Sequence, residues 1–122
     1  MICLDSDCII DVLKGVPHAV ECVRRYRENL FTTQINLFEV MQGALIRGSS
    51  KEIQSTEIFF SDLDVLPLTD GREAAVIMAK LVKEGNEIGS NDCLIAAIMR
   101  KVGCTQIITK NGRHFSRISG IT

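Results

Sequence analysis

Three acidic residues stand where carboxylates could hold a divalent cation: Asp5, Glu39 and Asp92. Asp5 follows a short apolar strand pattern and directly precedes a helix pattern. Open α/β sheets bind ligands at the carboxyl ends of their strands, and a buried carboxylate there destabilises the fold unless a cation or hydrogen bonds satisfy it. Hard cations such as Mg²⁺ and Mn²⁺ take oxygen ligands and can activate water for attack on a phosphodiester. The three acids therefore suggest metal-assisted hydrolysis.

Glu39 lies inside a predicted helix over residues 36–47. Helical spacing places Ile35, Gly43 and Ile46 on its face, so this carboxylate is not on a plainly solvated surface. The alternative is a helix acid at the rim of the core.

Asp92 lies in the first turn of a predicted helix over residues 90–102 that is apolar almost all round. Its face continues through Ile95, Ala96 and Met99, which favours a position along a buried stripe. An acid in a first turn is also favoured by the helix dipole and by capping alone, so a functional and a structural role both stay open.

Short apolar runs alternate with longer helical patterns along the chain, and these elements must position the acids. Strands are predicted over residues 2–5, 30–33, 65–68 and 106–109, and residues 120–122 could begin a fifth. Helices are predicted over residues 6–14, 18–28, 36–47, 51–61, 71–83 and 90–102. This alternation predicts an α/β fold, with a central parallel sheet flanked on both faces by helices.

The composition is that of a globular protein and excludes disorder, with 46% hydrophobic and 24% charged residues. A length of 122 residues predicts one domain over residues 1–122. The net charge of -1 argues against coating nucleic acid by bulk charge. It leaves room for a local basic patch late in the chain, formed by Arg100, Lys101, Lys110, Arg113 and Arg117.

The five cysteines, an odd number without a Cys-x-x-Cys pair, are interpreted as small buried hydrophobes in a reduced cytoplasm. Two histidines without ligand-like clustering argue against a zinc site. The N-terminus lacks a signal-peptide pattern, and the longest apolar run is too short to span a bilayer. We therefore expect a cytoplasmic protein without a membrane partner.

Four segments of the chain form a recognisable set of motifs. They are Leu-Asp-Ser-Asp-Cys-Ile-Ile-Asp at residues 4–11, Glu39 within residues 35–40, Asp92 within residues 92–97, and Ile-Ile-Thr-Lys-Asn-Gly-Arg-His-Phe at residues 107–115. In order and spacing the chain resembles the PIN-domain ribonucleases, in particular the small VapC-type toxins of toxin–antitoxin pairs. The resemblance extends over essentially the whole chain.

The resemblance implies an endonuclease that cuts RNA with Mg²⁺ or Mn²⁺, restrained by an antitoxin protein and assembled as a homodimer. Asp5 and Asp92 would be the principal metal ligands, with Glu39 as a further ligand or a water-holding acid. Ser6 and Thr109 would orient these carboxylates by hydrogen bonds.

Several neighbouring residues complete the predicted site. Asp7 would cap the first helix or support the metal from outside its ligand set, whereas Asp11 is expected to be solvated or salt-bridged. Many relatives carry an Asp at the position of Asn111, which brings no charge, so a second metal would be held poorly. His114 could clamp a phosphate or protonate a leaving oxygen, or it could simply pack beside Phe115.

Three basic side chains would flank the site and attract the RNA backbone: Lys110, Arg113 and Arg117. With no tryptophan and one tyrosine, the chain offers no evident platform for stacking bases, so recognition would depend on shape and backbone contacts.

Two other functions are compatible with the residues. Asp5-Ser6-Asp7 has the Asp-x-Asp form of a phosphatase, in which Asp5 would be the nucleophile and Asp7 the acid, but the late strand lacks the acidic pair that this chemistry needs. A catalytically weakened module of the same fold that binds RNA or protein is the second alternative, because Asn111 brings no charge.

Overall fold

A computed structural model describes residues 1–122 and contains one sheet of four parallel strands in the order β3-β2-β1-β4. The strands are β1 (Ile2–Leu4), β2 (Leu30–Thr33), β3 (Asp64–Leu66) and β4 (Ile107–Ile108). Both neighbours of β1 are parallel to it, with Cys3 opposite Phe31 on one side and opposite Ile107 on the other. The predicted parallel sheet is confirmed.

Seven helices surround the sheet, and no helix is long and apolar enough to cross a membrane. The helices are α1 (Ser6–Leu13), α2 (Pro17–Tyr26), α3 (Gln34–Arg47), α4 (Ser50–Ser61), α5 (Gly71–Lys83), α6 (Ser90–Lys101) and α7 (Gly112–Phe115). A single 3-10 turn over Arg27–Asn29 ends the second helical segment, which the sequence pattern predicts as one helix to residue 28.

Alternating strand residues pack into two separate cores, which is why helices cover both faces of the sheet. Cys3 and Phe31 belong to the core beneath α5, α6 and the C-terminal residues. Leu4 and Leu30 belong to the core beneath α1, α3 and α4. The molecule is therefore a three-layer α/β/α structure, as the alternating pattern predicts.

The fifth strand suggested at residues 120–122 does not form. Gly120 has a φ of 85°, and this left-handed conformation turns the chain immediately before the segment. The Thr122 amide donates to the Thr105 carbonyl, and the Ile107 amide donates to the Thr122 carbonyl. These two bonds fasten the C-terminus beside β4 without adding a strand.

Candidate active site

Asp5 lies where β1 ends and α1 begins, and its side chain is the N-cap of α1. The sequence pattern places Ser6 or Asp7 near this cap. The structure corrects it to Asp5, whose extended backbone suits an N-cap. Asp5 Oδ1 accepts a hydrogen bond from the Ser6 amide at 2.9 Å, and Oδ2 accepts one from the Thr109 hydroxyl at 2.6 Å. Thr109, directly after β4, thus holds the carboxyl of Asp5 from the neighbouring strand.

Burial raises the pKa of the Asp5 carboxyl from 3.8 to about 6. The residue is only 3% exposed, so its charged form has lost most of its hydration. Hydrogen bonds from Thr109 and the Ser6 amide lower the pKa, whereas the carboxylates of Asp7 and Asp92 raise it further. Asp92, 87 positions away in sequence, is therefore among the carboxylates whose charge acts on Asp5.

Glu39 on α3 joins Asp5 through the intervening Ser6. The Ser6 hydroxyl donates to Glu39 Oε1 at 2.7 Å, and the Asn91 side chain donates to Oε2 at 3.3 Å. Asn91 immediately precedes Asp92 in the first turn of α6, so Glu39 bridges the first and third acidic segments. The Ser6 hydroxyl therefore bonds the Glu39 carboxylate, and the Ser6 backbone amide bonds Asp5.

Asn36, in the first turn of α3, belongs to the site although the motif analysis does not include it. Its side chain is fully buried and donates to Asp5 Oδ1 at 3.0 Å and to Ser6 Oγ at 2.9 Å. Its carbonyl oxygen accepts from the Thr33 hydroxyl at 2.7 Å. The available signal is weak, because an Asn near a helix start is ordinarily explained by capping.

Asp92 projects beside His114, and no side chain caps α6. His114 Nδ1 lies 3.1 Å from Asp92 Oδ2. An open groove of about 390 Å³ separates this pair from α3. The groove is lined by Glu39, Gly89, Ser90, Asn91, Asp92, Asn111 and His114. Two of the three acids and both C-terminal candidates, Asn111 and His114, therefore face one groove.

Asp7 holds the segment after β4 in place. Its Oδ2 accepts from the Lys110 amide at 3.0 Å and lies 3.5 Å from the Thr109 hydroxyl. Its Oδ1 is buried without a hydrogen-bond partner. Asp7 therefore lies beside the carboxylate cluster, and its support of a metal from outside the ligand set stays a prediction.

The basic side chains expected to flank the site differ in whether they already have a hydrogen-bond or ion-pair partner within the protein. Lys110 pairs with Asp11 at 2.8 Å, so Asp11 is salt-bridged as expected. Arg117 donates to the Glu87 carbonyl at 3.0 Å and thereby fastens the loop before α6. Arg113, on α7, is exposed and forms no ion pair or side-chain hydrogen bond.

The donor chemistry of the cluster fits a hard divalent cation. Asp5, Glu39 and Asp92 offer carboxylate oxygens at one end of the sheet, and none of them pairs with a lysine or an arginine. No group of three or more His, Cys, Asp and Glu side chains is arranged as a ready-made metal cage. Mg²⁺ commonly binds through one or two carboxylates and keeps several waters, which the present donors allow. That all three acids share one ion stays a prediction.

A larger groove of about 570 Å³ lies elsewhere, between α1, α3 and α4. Its lining combines apolar residues with the Arg47–Glu52 pair and contains no cluster of carboxylates. The volume of a groove therefore does not identify the candidate active site. We assign the site to the smaller groove because Glu39 and Asp92 line it.

Comparison with known proteins identifies the family to which the chain belongs. The PIN domain family model matches residues 2–121. Ribonuclease VapC2 of Haemophilus influenzae is 31% identical over 121 residues, covering 94% of this chain and 89% of the relative. Among solved structures, DNA-bound VapBC from Salmonella typhimurium matches with a TM-score of 0.83 and 28% identity, over 98% of this chain and 93% of that chain.

A further solved structure supports the fold alone. VapBC2 from Rickettsia felis, bound to a DNA fragment from its promoter, matches with a TM-score of 0.86 at 23% identity, over 99% of this chain and 96% of that chain. The fold, the family model and the curated relative agree over nearly the full length. The chain therefore belongs to the PIN-domain family and, within it, to the VapC ribonucleases.

Proposed function

We propose that this protein is a divalent-metal-dependent endoribonuclease and the toxin of a toxin–antitoxin pair. The observation that carries the proposal is the gathering of Asp5, Glu39 and Asp92 at one end of the sheet without a lysine or arginine partner. The similar protein from Haemophilus influenzae is named a ribonuclease, which supports the reaction class. Neither the phosphatase nor the inactive-module alternative is favoured by the family match.

Asp5 and Asp92 are the proposed principal ligands of Mg²⁺ or Mn²⁺, with Glu39 as a third ligand or as the acid that holds a coordinated water. When bound, such a cation lowers the pKa of a coordinated water and offsets charge on the phosphate. Ser6 and Thr109 keep the carboxylates oriented through the bonds described above.

The remaining groove residues supply positioning and a proton donor. Nδ1 of His114 donates to Asp92, so Nε2 can donate to a phosphate or leaving oxygen when the ring is in its imidazolium form. Asn111 lines the same groove and can hydrogen-bond to RNA without adding charge. Asp7 positions the segment that carries Thr109 and Asn111.

The proposed partners follow from the relatives. Both similar structures named above carry the VapBC name of toxin–antitoxin complexes, so we propose an antitoxin protein as the natural partner of this chain. RNA is the proposed substrate, the cytoplasm the proposed location and a homodimer the proposed assembly. Residues 1–122 are proposed to act as one domain, because β1 and β4 from opposite ends of the chain pair directly.

Cleavage of RNA by the purified protein tests the proposal. We expect cleavage of a structured RNA in Mg²⁺ or Mn²⁺ that EDTA abolishes. The variants Asp5→Asn and Asp92→Asn should lose at least about 100-fold in rate, since a metal ion supplies several kcal/mol of charge stabilisation.

The exposed Asp64, on β3, forms no ion pair and provides Asp64→Asn as the matched control, which should cleave normally. If the parent cleaves equally well in EDTA, or if Asp5→Asn and Asp92→Asn match the parent, the nuclease proposal is wrong. Absence of cleavage under all conditions would favour the inactive binding module instead.

A further inference from the structure

Asn36 stands at the centre of a directional chain of buried hydrogen bonds. The Thr33 hydroxyl donates to its carbonyl oxygen, and its amide nitrogen donates to both Asp5 Oδ1 and Ser6 Oγ. The Ser6 hydroxyl then donates to Glu39 Oε1. Asn36 and Thr33 are both fully buried, so water does not offer these groups alternative partners.

The chemistry of the groups fixes the direction of every bond in this chain. An amide nitrogen only donates, and a hydroxyl carries one hydrogen. Because Asn36 donates to Ser6, the single Ser6 hydrogen is free to point at Glu39, which must accept it. Asp5 selects this orientation, since a flipped Asn36 would place two acceptors, its own oxygen and Asp5 Oδ1, against each other, and the Thr33 hydroxyl donates to the amide oxygen in the observed orientation.

The same bonds leave the two oxygens of Asp5 unequal. Oδ1 accepts from both the Ser6 amide and Asn36, so two donors occupy it. Oδ2 accepts only from the Thr109 hydroxyl and keeps acceptor capacity for another partner. Oδ2 is therefore the oxygen of Asp5 with more room for a further ligand.

We propose that Asn36 is a positioning residue that directs metal binding to Oδ2 of Asp5 and aims the Ser6 hydroxyl at Glu39. This inference rests on the proposed metal-dependent function. It differs from a purely structural role, in which Asn36 would only stabilise the first turn of α3. Groups that orient metal ligands commonly change metal affinity when removed, even without touching the ion.

Two variants that interrupt the chain at different points test the inference. Asn36→Leu removes both amide hydrogens at similar volume, and Thr33→Val removes the hydroxyl that donates to the amide oxygen and supports the observed orientation. Thr56→Val is the matched control, because Thr56 is equally buried and its hydroxyl donates to the Glu52 carbonyl, away from the acids. Free Mn²⁺ is measured by its electron paramagnetic resonance, and RNA cleavage is measured at saturating Mn²⁺.

We expect Asn36→Leu to weaken Mn²⁺ binding by about tenfold, with a smaller loss for Thr33→Val and none for Thr56→Val. At saturating Mn²⁺, kcat should fall while KM for RNA stays near the parent value. Ser6→Ala should weaken Mn²⁺ binding less in the Asn36→Leu background than in the parent protein. In that background the Ser6 hydroxyl has already lost the donor that fixes its orientation.

The inference is overturned if a folded Asn36→Leu binds Mn²⁺ as the parent does. If that variant lacks a cooperative unfolding transition, Thr33→Val decides, and parental Mn²⁺ affinity overturns the inference. Equal losses of Mn²⁺ affinity in Thr33→Val and Thr56→Val would show that the effect is general destabilisation. That result would also contradict the inference. A parent protein that neither binds Mn²⁺ nor cleaves RNA would overturn the proposed function as well. If the parent does both and the variants match it in both, only the role of Asn36 is overturned.

Discussion

At the scale of the individual residue, the buried site of Asp5 disfavours the charged form of its carboxyl. This makes the stability of the protein depend on pH. The Asp5 pKa of about 6 means that metal-free protein must ionise a buried carboxyl near neutral pH. A carboxyl whose pKa is raised by folding stabilises the folded state fully below its unfolded pKa, and this contribution is lost as pH rises through the folded pKa. Stability of the metal-free protein should therefore fall between about pH 4 and pH 6.

Asp5→Asn removes this pH-dependent cost and keeps the cap. The two pKa values differ by an amount equivalent to about 3 kcal/mol, so in EDTA at pH 8 the variant should be more stable than the parent by up to about that figure. Its Oδ1 still accepts from the Ser6 amide and Asn36, and its new amide can donate to the Thr109 hydroxyl.

Urea unfolding from pH 4 to pH 8 measures the effect, with Asp64→Asn as the control for loss of an exposed charge. A stability difference between Asp5→Asn and the parent that is constant over this range would contradict the assigned pKa. Adding Mn²⁺ should narrow or reverse the difference, because a bound ion stabilises only the state that holds it.

Residue types predicted the acids of the site better than their supporting partners. Asp5, Glu39 and Asp92 could be selected because each interrupts an apolar pattern, and the carboxyl ends of parallel strands bring their segments to one edge of the sheet. That the three acids share a cation stays a prediction. Asn36 and Asn91 could not, because amides are common at helix starts for local reasons. Which carboxylate each of them would bond depends on tertiary geometry, which spacing does not contain.

At the scale of elements, α7 and the segment before it decide which basic residue meets RNA. Lys110 is engaged by Asp11 and Arg117 by backbone carbonyls, whereas the Arg113 side chain on α7 is free. Arg113 also lies between two residues that line the groove, Asn111 and His114. The element thus carries one unengaged cation next in sequence to His114, which lines the groove.

Arg113→Ala should raise KM for RNA and lower the slope of log affinity against log salt by about one, as expected for one lost phosphate contact. Lys110→Ala is the matched control and should change KM less, because Asp11 already engages that ammonium. Binding of labelled RNA to each variant in the Asp92→Asn background across a salt series measures the affinity and its salt slope, and cleavage kinetics of the single variants measure KM. A larger loss for Lys110→Ala than for Arg113→Ala would contradict this account.

The boundaries of elements near the site were only partly predictable. The ranges of β2 and α5 agree with the sequence pattern, since strong apolar periodicity and a capping Asp define them. The short α7 was not predicted, because four residues are too few to show a helical period. The suggested strand at residues 120–122 was wrong, because its start at Gly120 serves a turn.

At the scale of the whole molecule, an exposed apolar face on α3 is the candidate contact between two copies. Phe38 and Leu45 are 58% and 57% exposed and lie two turns apart. Ile46, which helical spacing places near Glu39 on a half-buried face, is 80% exposed. Large apolar side chains gathered on one helix are typical of a protein interface.

Phe38→Glu should convert the proposed dimer to a monomer at micromolar concentration without unfolding it, because the exposed side chain contributes little to the core. Light scattering measures the mass, and Ile58→Glu on α4 is the control for an equally exposed apolar residue. If the parent protein is already a monomer at this concentration, the proposed dimer is wrong. A dimer that survives Phe38→Glu would place the contact elsewhere.

The global architecture was the most predictable property, and the order of strands was not. Alternating strands and helices require a parallel sheet covered on both faces, because each crossover helix must pack on one of them. The order β3-β2-β1-β4 depends on which helices share a core, and this is decided by packing between distant segments.

The central claim is that the three acids form a binding site for a catalytic divalent cation. Anomalous diffraction from crystals soaked in Mn²⁺ locates such an ion directly. We predict a peak bounded by the carboxylates of Asp5 and Asp92, on the Oδ2 side of Asp5 and within reach of a water held by Glu39. A protein that cleaves RNA in Mn²⁺ but shows its only peaks away from these carboxylates would contradict the claim.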